Sequence, residues 1–522
     1  MNSRKLAVID MGSNSIRLVI NAIDKNGHYK ELHNLKVVAR LSNHFDQEGN
    51  ITNEGISVII DTLKKFHDLL SFHRIDQVKA VATAAIRKAV NQQKILTQIH
   101  TETNINVTVL SEYQEAYYGY LAIVNSTNIQ NGVSIDIGGG STEISLFTNR
   151  NLVHYHSFPF GAITLQQMFF KNDPPSDEER QQLTTFLNDQ FSQLPWLTNC
   201  AYPVVGIGGS ARNLSLIQQR RENYPLAGLH QYQLSPENMS DMAELLSSCT
   251  LSERQRIAGL SKDRADIIIP AVEAISILMK KTSAPTFILS NKGLRDGLFY
   301  EELLQQIGIE RFPNVAEESF YQLTHSYEIN IEHIKQVSKI VRTLYHQLQP
   351  YLGLEENEEP IRLLQYSARV LYIGEYINPE ASSQHTFYLL THTAIDGLSH
   401  EERLAIAFIS SFKSRSYLQH FAKSYRTLIS GNQLKQFEIL GSMLKLAYSL
   451  NRTRRNLVKD INVTTYKENE FNIYVFYDQD GTIHFEQEQA VKYKKHLEKA
   501  LKCTIHLQFQ AVASKKLRNY IN

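Results

Sequence analysis

The alternation of apolar and polar residues changes character along the chain. Up to about position 305, short apolar runs that end in glycine-rich turns are interspersed with segments of helical spacing, which predicts an α/β architecture. From Ile307 to about Leu450, as in IEHIKQVSKIVRTLYHQLQPYL, apolar residues recur at helical spacing and predict a mostly helical region. The remainder alternates again and predicts a small α+β domain.

The pattern of this last domain predicts specific elements. Phe471–Tyr477 alternates, a turn follows at Asp478–Gly481, and Thr482–Phe485 continues the alternation, so a β-hairpin is expected over these three segments. A lysine-rich helix around Lys492–Lys502 comes next, and the strand-like segment CTIHLQF follows it.

One pattern occurs twice in the first half. LAVIDMGSNSIRLVI begins at Leu6 and VSIDIGGGSTEISLF begins at Val133; each is an apolar run, then Asp-x-Gly, then small polar residues, then a second apolar run. Each copy predicts a β-hairpin with a glycine- and serine-rich tip. The aspartates of the two copies, Asp10 and Asp136, align, so we expect an internal duplication at the scale of a domain.

The tips carry groups that bind phosphate. Glycines let backbone N–H groups approach an anion closely, and positive φ angles would form an anion nest. An aspartate beside such a nest can bind Mg²⁺ directly or through water. The predicted phosphate-binding residues of the tips are Ser13, Asn14, Gly138, Gly139, Gly140 and Ser141.

A third glycine-rich turn, VVGIGGSARNL, follows the strand-like segment Tyr202–Ile207. It predicts a strand leading into a helix, and Gly208 and Gly209 are its candidate phosphate contacts. The G-x-G-x-x-G spacing of dinucleotide sites is not met. A purely structural βα turn explains these glycines equally well.

Composition narrows the cellular setting and the partners. The 522 residues hold three distant cysteines without metal-ligand spacing, no apolar run of membrane-spanning length and no signal-peptide pattern at the N-terminus, so we expect a cytoplasmic protein without a membrane anchor. The net charge is +1, yet positions 411–522 hold 19 lysines and arginines against 9 aspartates and glutamates. This basic segment predicts a polyanion partner or, alternatively, a solvated face without one.

The motifs together resemble the exopolyphosphatase / guanosine pentaphosphate phosphohydrolase family of the actin, Hsp70 and sugar-kinase superfamily. They occur in order through about residue 302: DMGSNSIR (10–17), ATAAIRKA (82–89), DIGGGSTE (136–143), FPFGA (158–162), GIGGSARN (206–213), RADII (264–268) and GLRDG (293–297). The resemblance implies two ribonuclease-H-like (actin-like ATPase) domains around a phosphate cleft. A helical HD-like domain and the small α+β domain would follow, with boundaries at 1–125, 126–305, 306–450 and 451–522.

The resemblance also assigns candidate catalytic groups. In LSEYQEAYYGY, from Leu110 to Tyr120, the family pattern places the water-activating base on Glu115, although Glu112 and Gln114 depart from that pattern. Glu112 therefore stays open as an alternative base. Arg87 is a predicted phosphate ligand, because its guanidinium matches two phosphate oxygens. The metal candidates are Asp10, Asp136 and Glu143, and Mg²⁺ is the expected ion, with a monovalent cation such as K⁺ as an additional one.

The family's helical domain usually carries Leu-His-Asp-Ile-Gly, whereas this chain has Val370-Leu371-Tyr372-Ile373-Gly374. Neither leucine nor tyrosine can replace a metal-binding His–Asp pair, so this domain resembles a retained scaffold without a second active site. The predicted polyanion-binding residues are Arg452, Arg454, Arg455, Lys515, Lys516 and Arg518.

These features lead to a ranked set of hypotheses. The first is an Mg²⁺-dependent exopolyphosphatase that processively removes terminal orthophosphate from inorganic polyphosphate, expected as a homodimer. The second is hydrolysis of guanosine pentaphosphate, which would require a base pocket. An ATP-binding regulator, a sugar-kinase-like transferase and a nucleic-acid-binding protein rank lower, and no nucleic acid is expected as a partner.

Overall fold

The computed structural model describes residues 3–352 and 358–513. It divides into two compact units, Met1–Tyr224 with Leu229–Ala316, and Pro225–Gly228 with Glu317–Asn522. The first unit contains both glycine-rich repeats and the second contains the helical and basic segments. The finer division into four domains stays a prediction.

The first repeat builds a mixed sheet in the order β3-β2-β1-β4-β5. β1 pairs antiparallel with β2, so Asp10 lies opposite Arg17, and β4 adds parallel to β1. The strands are β1 (Arg4–Met11), β2 (Ser15–Ile23), β3 (Tyr29–Val38), β4 (Gln77–Ala82) and β5 (Val107–Val109). The helices are α1 (Asn53–Phe72), α2 (Ala84–Lys88), α3 (Gln92–Thr103) and α4 (Glu112–Val124).

The second repeat builds the same order, β8-β7-β6-β9-β11, with β10 added at the edge. The strands are β6 (Gly132–Ile137), β7 (Thr142–Thr148), β8 (Asn151–Phe158), β9 (Val204–Ile207), β10 (Gln233–Leu234) and β11 (Phe287–Leu289). The helices are α5 (Ala162–Phe169), α6 (Asp177–Ser192), α7 (Gly208–Arg221), α8 (Pro236–Ser248), α9 (Leu251–Arg254), α10 (Ile268–Thr282) and α11 (Leu294–Ile307). A hairpin, a third antiparallel strand and two parallel additions are the ribonuclease-H-like order, so the predicted duplication and fold class are confirmed.

Three apolar clusters hold the first unit together. One fills the first sheet and α1, a second surrounds α10, and a third contains residues of both repeats, including Val8 of β1, Val205 of β9, Leu121 of α4 and Leu303 of α11. The third cluster therefore supports the two hairpin tips from a shared core. Buried apolar area of this kind contributes roughly 25 cal/mol per Å².

The second unit is helical through residue 449, as predicted. Its helices are α12 (Val315–Ser326, which begins at the unit boundary), α13 (Ile331–Leu348), α14 (Glu359–Arg369), α15 (Ser382–His392), α16 (His400–Ser410), α17 (Arg415–Ala422) and α18 (Gly431–Ser449). No helix in the described ranges is both long and apolar enough to cross a bilayer.

The terminal sheet corrects one sequence-based prediction. It consists of β12 (Val458–Lys467), β13 (Glu470–Asp478) and β14 (Thr504–Val512), with α19 (His484–Leu501) between the last two strands. The predicted strand Thr482–Phe485 is wrong, because Phe485 lies in α19 and β13 pairs backward with β12. β14 runs parallel to β13, and a parallel pair needs a crossover helix where an antiparallel pair needs only a turn. The sequence pattern does not predict β12, because most of its side chains are partly or fully exposed and no apolar alternation marks the strand.

Candidate active site

The two hairpin tips have the same backbone geometry. In the first, Gly12 N–H donates to the Ser15 carbonyl (3.1 Å), and in the second Gly138 N–H donates to the Ser141 carbonyl (3.0 Å). The repeated motif therefore folds into a repeated turn, and each turn follows the strand that carries its aspartate.

The tips face each other. A Cβ atom placed on Gly139 would lie 3.4 Å from Cβ of Ser13, and one placed on Gly140 would lie 3.8 Å from Ser13 Oγ. Lys88, at the end of α2, donates from Nζ to the carbonyls of Gly140 (2.8 Å) and Pro159 (3.3 Å). The structure thus brings the predicted phosphate-binding tips together and adds a lysine that was not among the predicted site residues.

Most of the predicted glycines lie where neighbouring atoms come close to the backbone, and few of them need a positive φ angle. Among the predicted glycines only Gly208 is left-handed, at φ +83°, and a Cβ there would come within 2.5 Å of Asp136 Oδ1. A Cβ on Gly209 would overlap the Arg264 guanidinium at 2.2 Å. The Gly208–Gly209 turn therefore connects a strand to a helix and also packs directly against two charged side chains.

Asn14 contributes an unsatisfied donor to the first tip. Its carbonyl accepts from the N–H groups of Ala39 (3.1 Å) and Arg40 (2.9 Å), while its buried Nδ2 has no hydrogen-bond partner. Buried donors normally have partners, so an unpaired one beside the facing tips is consistent with a site for an acceptor-rich ligand.

The buried Glu115 forms an ion pair with the partly buried Arg87. Arg87 Nη1 contacts Glu115 Oε2 and also donates to the Leu110 carbonyl (2.8 Å). Burial raises the pKa of Glu115 above its ordinary value, and Asp136 and Asp10 add to this effect, while Arg87 opposes it. A carboxylate held in one orientation with a raised pKa has the properties of a general base.

The start of α4 distinguishes the two candidate glutamates. Ser111 caps the helix by accepting from Gln114 N–H (3.2 Å), and the Gln114 side chain accepts from Ser111 N–H (2.9 Å). Gln114 thus has a capping role, and Glu112, at the first helical position, is exposed. Glu115 alone of the two is buried against Arg87.

Asp136 and Glu143 lie directly opposite each other across the β6–β7 hairpin. Burial, followed by the charge of Asp10, raises the pKa of Asp136 to about 6. Burial also raises the pKa of Glu143, and the neighbouring charges of Glu115 and Asp136 raise it further. Several carboxylates therefore share one buried region and destabilise each other's ionised forms.

The third metal candidate has a different partner. Arg295 Nη1 lies 3.0 Å from Asp10 Oδ2, so the charge of Asp10 is already compensated by the protein. No group of three His, Cys, Asp or Glu side chains that could hold a metal ion occurs among the residues that the structure describes. Asp136 and Glu143 still fit Mg²⁺, which proteins often bind through one or two carboxylates, substrate phosphates and water.

Four arginines interact electrostatically with one another, three of them also with Asp10 or Asp136, and none was predicted as a site residue: Arg17, Arg212, Arg264 and Arg295. Burial and the charges of Arg295 and Arg212 lower the pKa of Arg17 to about 10. The pKa values of Arg212 and Arg264 are lowered mainly by burial. Arg17 and Arg212 form no salt bridge within the described chain. All four arginines belong to the quoted motifs. An arginine that recurs within these motifs is the sequence feature that could have indicated them as site residues. Crowded, partly buried guanidinium groups favour a bound anion.

The sequence profile of the Ppx/GppA phosphatase family matches residues 19–306. The chain belongs to the Ppx/GppA phosphatase family. The profile of Ppx/GppA phosphatase domain III matches residues 315–497. The family resemblance predicted from the motifs is thereby confirmed, and it extends into the helical and basic parts of the chain.

Several relatives and solved structures are similar to a little over half of this Ppx/GppA protein. Exopolyphosphatase 1 of Mycobacterium tuberculosis is 26% identical over 304 residues, 57% of this chain and 88% of that relative. The Aquifex aeolicus Ppx/GppA family member is 28% identical with a TM-score of 0.53, covering 58% of this chain and 99% of that one. An exopolyphosphatase from Cytophaga hutchinsonii is 26% identical with a TM-score of 0.53, covering 59% and 99%.

In the helical region of this family member, Leu371 and Tyr372 occupy the positions at which the motif resemblance would place a His–Asp pair. Tyr372 donates from its hydroxyl to the Phe412 carbonyl (2.9 Å), and it is too far buried to ionise readily, since burial raises its pKa. Tyr372 therefore has a packing and hydrogen-bonding role.

The predicted polyanion-binding arginines are engaged with carboxylates. Arg452 and Arg454 both pair with Glu375, at 3.7 and 3.0 Å, and Arg455 pairs with Glu486 at 3.0 Å. Lys515, Lys516 and Arg518 lie outside the described residues. By contrast, the exposed lysines of α19 that form no salt bridge in the described part of the chain are Lys492, Lys495 and Lys499.

Proposed function

We propose that this protein is an exopolyphosphatase that uses Mg²⁺ and water to remove terminal orthophosphate from inorganic polyphosphate. The observation that carries the proposal is the buried Glu115–Arg87 pair beside two facing glycine-rich tips. The names of the relatives support this substrate, since they include exopolyphosphatases.

The terminal phosphate would lie between the tips. Backbone N–H groups of Gly139 and Gly140, the Ser13 hydroxyl and the unpaired Asn14 amide supply donors to its oxygens. Arg17 and Arg212 supply positive charge that no salt bridge of the described chain compensates. Phosphoryl transfer depends mainly on such positioning and charge stabilisation, so these groups would lower the barrier without covalent chemistry.

Glu115 would orient the attacking water and accept its proton. Its carboxylate is held by Arg87, which fixes the orientation of the base, and its raised pKa strengthens it as a proton acceptor near neutral pH. Arg87 Nη1 also holds the Leu110 carbonyl, which anchors the arginine to the loop that precedes α4. The same arginine therefore positions the base and contributes charge to the site.

Asp136 and Glu143 would hold Mg²⁺ together with phosphate oxygens. When bound, the ion would neutralise negative charge on the phosphate chain. The chain's own part is to present two opposed carboxylates from one rigid hairpin, with Glu143 Oε1 fixed by the Ser157 hydroxyl (3.0 Å).

The basic second unit would attract a long polyphosphate electrostatically. Because Arg452, Arg454 and Arg455 are paired with glutamates, the unpaired lysines of α19 are the stronger contributors to that electrostatic attraction. Such attraction grows with the number of charges on the ligand, and this favours polyphosphate over guanosine pentaphosphate as the preferred substrate.

Orthophosphate release from long polyphosphate, guanosine pentaphosphate and ATP, with and without Mg²⁺, tests the proposal. Glu115→Gln should reduce turnover by ~10²–10⁴ while substrate binding persists, because glutamine keeps the shape but cannot accept the proton. Glu112→Gln is the matched control and should retain turnover. Preference for guanosine pentaphosphate would contradict the substrate, and loss of turnover in Glu112→Gln alone would contradict the base.

A further inference from the structure

A cavity of about 310 Å³ occurs within the second unit, between α13 and the segment that follows α14. Ile334, Val337 and Ala368 contribute an apolar wall, and His333 and Arg454 contribute polar groups. Ligand pockets commonly span ~300–1,000 Å³, so this cavity has the size for a small ligand. It contains none of the groups assigned above to catalysis.

His333 presents a donor without a partner in this region. The side-chain oxygen of Asn451 accepts from Asn456 N–H (3.0 Å), which fixes the orientation of the Asn451 amide. Its NH₂ group therefore faces His333 and donates to Nδ1 (3.0 Å). Burial and the charges of Arg454 and Arg452 lower the pKa of His333 to about 4, so the ring is neutral and its proton is on Nε2. His333 is 8% exposed, and Nε2 is buried without a hydrogen-bond partner.

The charged side chains that line the cavity are Arg454, Glu375 and the exposed Glu328. Arg454 Nη2 lies 3.0 Å from one oxygen of Glu375 and Arg452 Nη1 lies 3.7 Å from the other, so two guanidinium groups share one carboxylate. The Tyr448 hydroxyl also donates to Glu375 (3.1 Å). Arg454 uses one nitrogen in these contacts and lines the cavity, which leaves further N–H groups for an anion.

Aromatic side chains complete the lining. Tyr327 and Tyr376 meet edge to face with ring centroids 5.4 Å apart, and Tyr376 is 60% exposed. Tyr372 has a left-handed backbone, with φ 50°, which is unfavourable for a residue with a side chain. Backbone strain of this kind occurs preferentially at ligand sites. Tyrosines beside an apolar wall are typical contacts for a flat ring.

We propose that this cavity binds a small aromatic phosphate, with the ring among Tyr327, Tyr376 and the apolar wall and the phosphate at Arg454. The His333 Nε2–H would donate to an acceptor of the same ligand. The ligand needs one flat ring for the tyrosines and one anionic group for Arg454. It must also be small, because the cavity is at the small end of the usual range of ligand pockets. The second unit would therefore carry a binding site of its own.

Isothermal titration calorimetry on the full-length protein tests this, with adenosine 5′-monophosphate as the probe. This probe has no phosphoanhydride bond, so the proposed hydrolase reaction would not consume it. Arg454→Gln should weaken binding about tenfold or more, because a charge-assisted hydrogen bond is lost. Tyr376→Ala should weaken it several-fold and is too exposed to disturb folding. Adenosine should bind more weakly than the monophosphate and should be insensitive to Arg454→Gln.

Matched controls locate the binding. Arg426→Gln removes one exposed charge and Tyr388→Ala removes one exposed ring from the same unit, and neither lines the cavity, so both should bind the probe as the unchanged protein does. Asp136→Asn alters the glycine-rich site and should also leave binding intact. The proposal is overturned if the unchanged protein does not bind the monophosphate, if Arg454→Gln and Tyr376→Ala bind it normally, or if only Asp136→Asn abolishes binding.

Discussion

Arg295 donates a 3.0 Å hydrogen bond from Nη1 to Oδ2 of Asp10 and so joins the start of α11 to the first hairpin. Both side chains are largely buried. The pair compensates one of the carboxylates beside Asp136. Burial raises the pKa of Asp136, and the charge of Arg295 partly opposes that rise. Asp10 therefore takes part in an internal ion pair, which sets it apart from Asp136 and Glu143.

Removing one member of this ion pair should destabilise the protein more than removing both members. Arg295→Ala leaves a largely buried carboxylate unpaired, and we expect a loss of about 3 kcal/mol in the free energy of unfolding. The double variant Asp10→Asn/Arg295→Ala should lose less than the sum of the single variants. Urea unfolding of the four proteins measures this coupling, and strictly additive losses would show that the two side chains do not interact.

The apparent pKa of the acid limb of the pH–rate profile should lie well above the ordinary pKa range of carboxyl groups. The pKa of Glu115 is raised by burial, so the fraction of ionised base increases with pH through neutrality. The logarithm of kcat/KM for polyphosphate, measured from pH 5 to 9, should therefore rise up to neutral pH. In Asp136→Asn the limb should move to lower pH, because one repelling charge is removed. A rate that is constant from pH 5 upward would contradict this.

Glu143→Gln should stabilise the metal-free protein at alkaline pH. The folded-state pKa of Glu143 is raised above its unfolded value, so the stabilisation by protonation is complete below the unfolded pKa and is lost as the pH rises through the folded pKa. At pH 9 in the presence of a chelator we expect a gain on the order of 2 kcal/mol, and at pH 4 little change. Chemical unfolding at both pH values measures the difference, with exposed Glu112→Gln as the control. Equal effects at both pH values would exclude this origin.

Asp136→Asn and Glu143→Gln should each raise the Mg²⁺ concentration needed for half-maximal activity. Each removes one negative charge from the opposed pair that would hold the ion. Asp10→Asn should raise it less, because Asp10 is already paired with Arg295. Titration of orthophosphate release with Mg²⁺ measures the requirement, and activity that is insensitive to a chelator would disprove metal dependence.

Salt should weaken binding of long polyphosphate steeply. Each cation that contacts a phosphate releases counterions, so the slope of log affinity against log salt should fall by about one for each contact removed. Changing Lys492, Lys495 and Lys499 to glutamine should reduce that slope more than changing Arg452, Arg454 and Arg455, whose charges are paired. Short polyphosphate is the control substrate. A larger effect of the arginine changes would mean that the ligand displaces their glutamate partners.

The sequence by itself determined the family, the duplicated hairpins and the helical region, because these depend on local signals. Apolar periodicity and glycine at close turns act over a few residues, and each is legible without knowledge of distant contacts. The repeated glycine-rich turns identified Asp136 and the two tips as candidates, and the resemblance of the motifs to the family identified Glu115 and Arg87.

Tertiary structure alone decided which charges lie together. Arg295 and Asp10 are far apart in the chain, as are Arg454 and Glu375, and no local pattern indicates these pairs. The pairing of β13 with β12 was likewise decided by the parallel position of β14, which the turn at Asp478–Gly481 does not reveal. Electrostatic compensation and strand pairing depend on long-range contacts, and the three-dimensional packing of the chain supplies them.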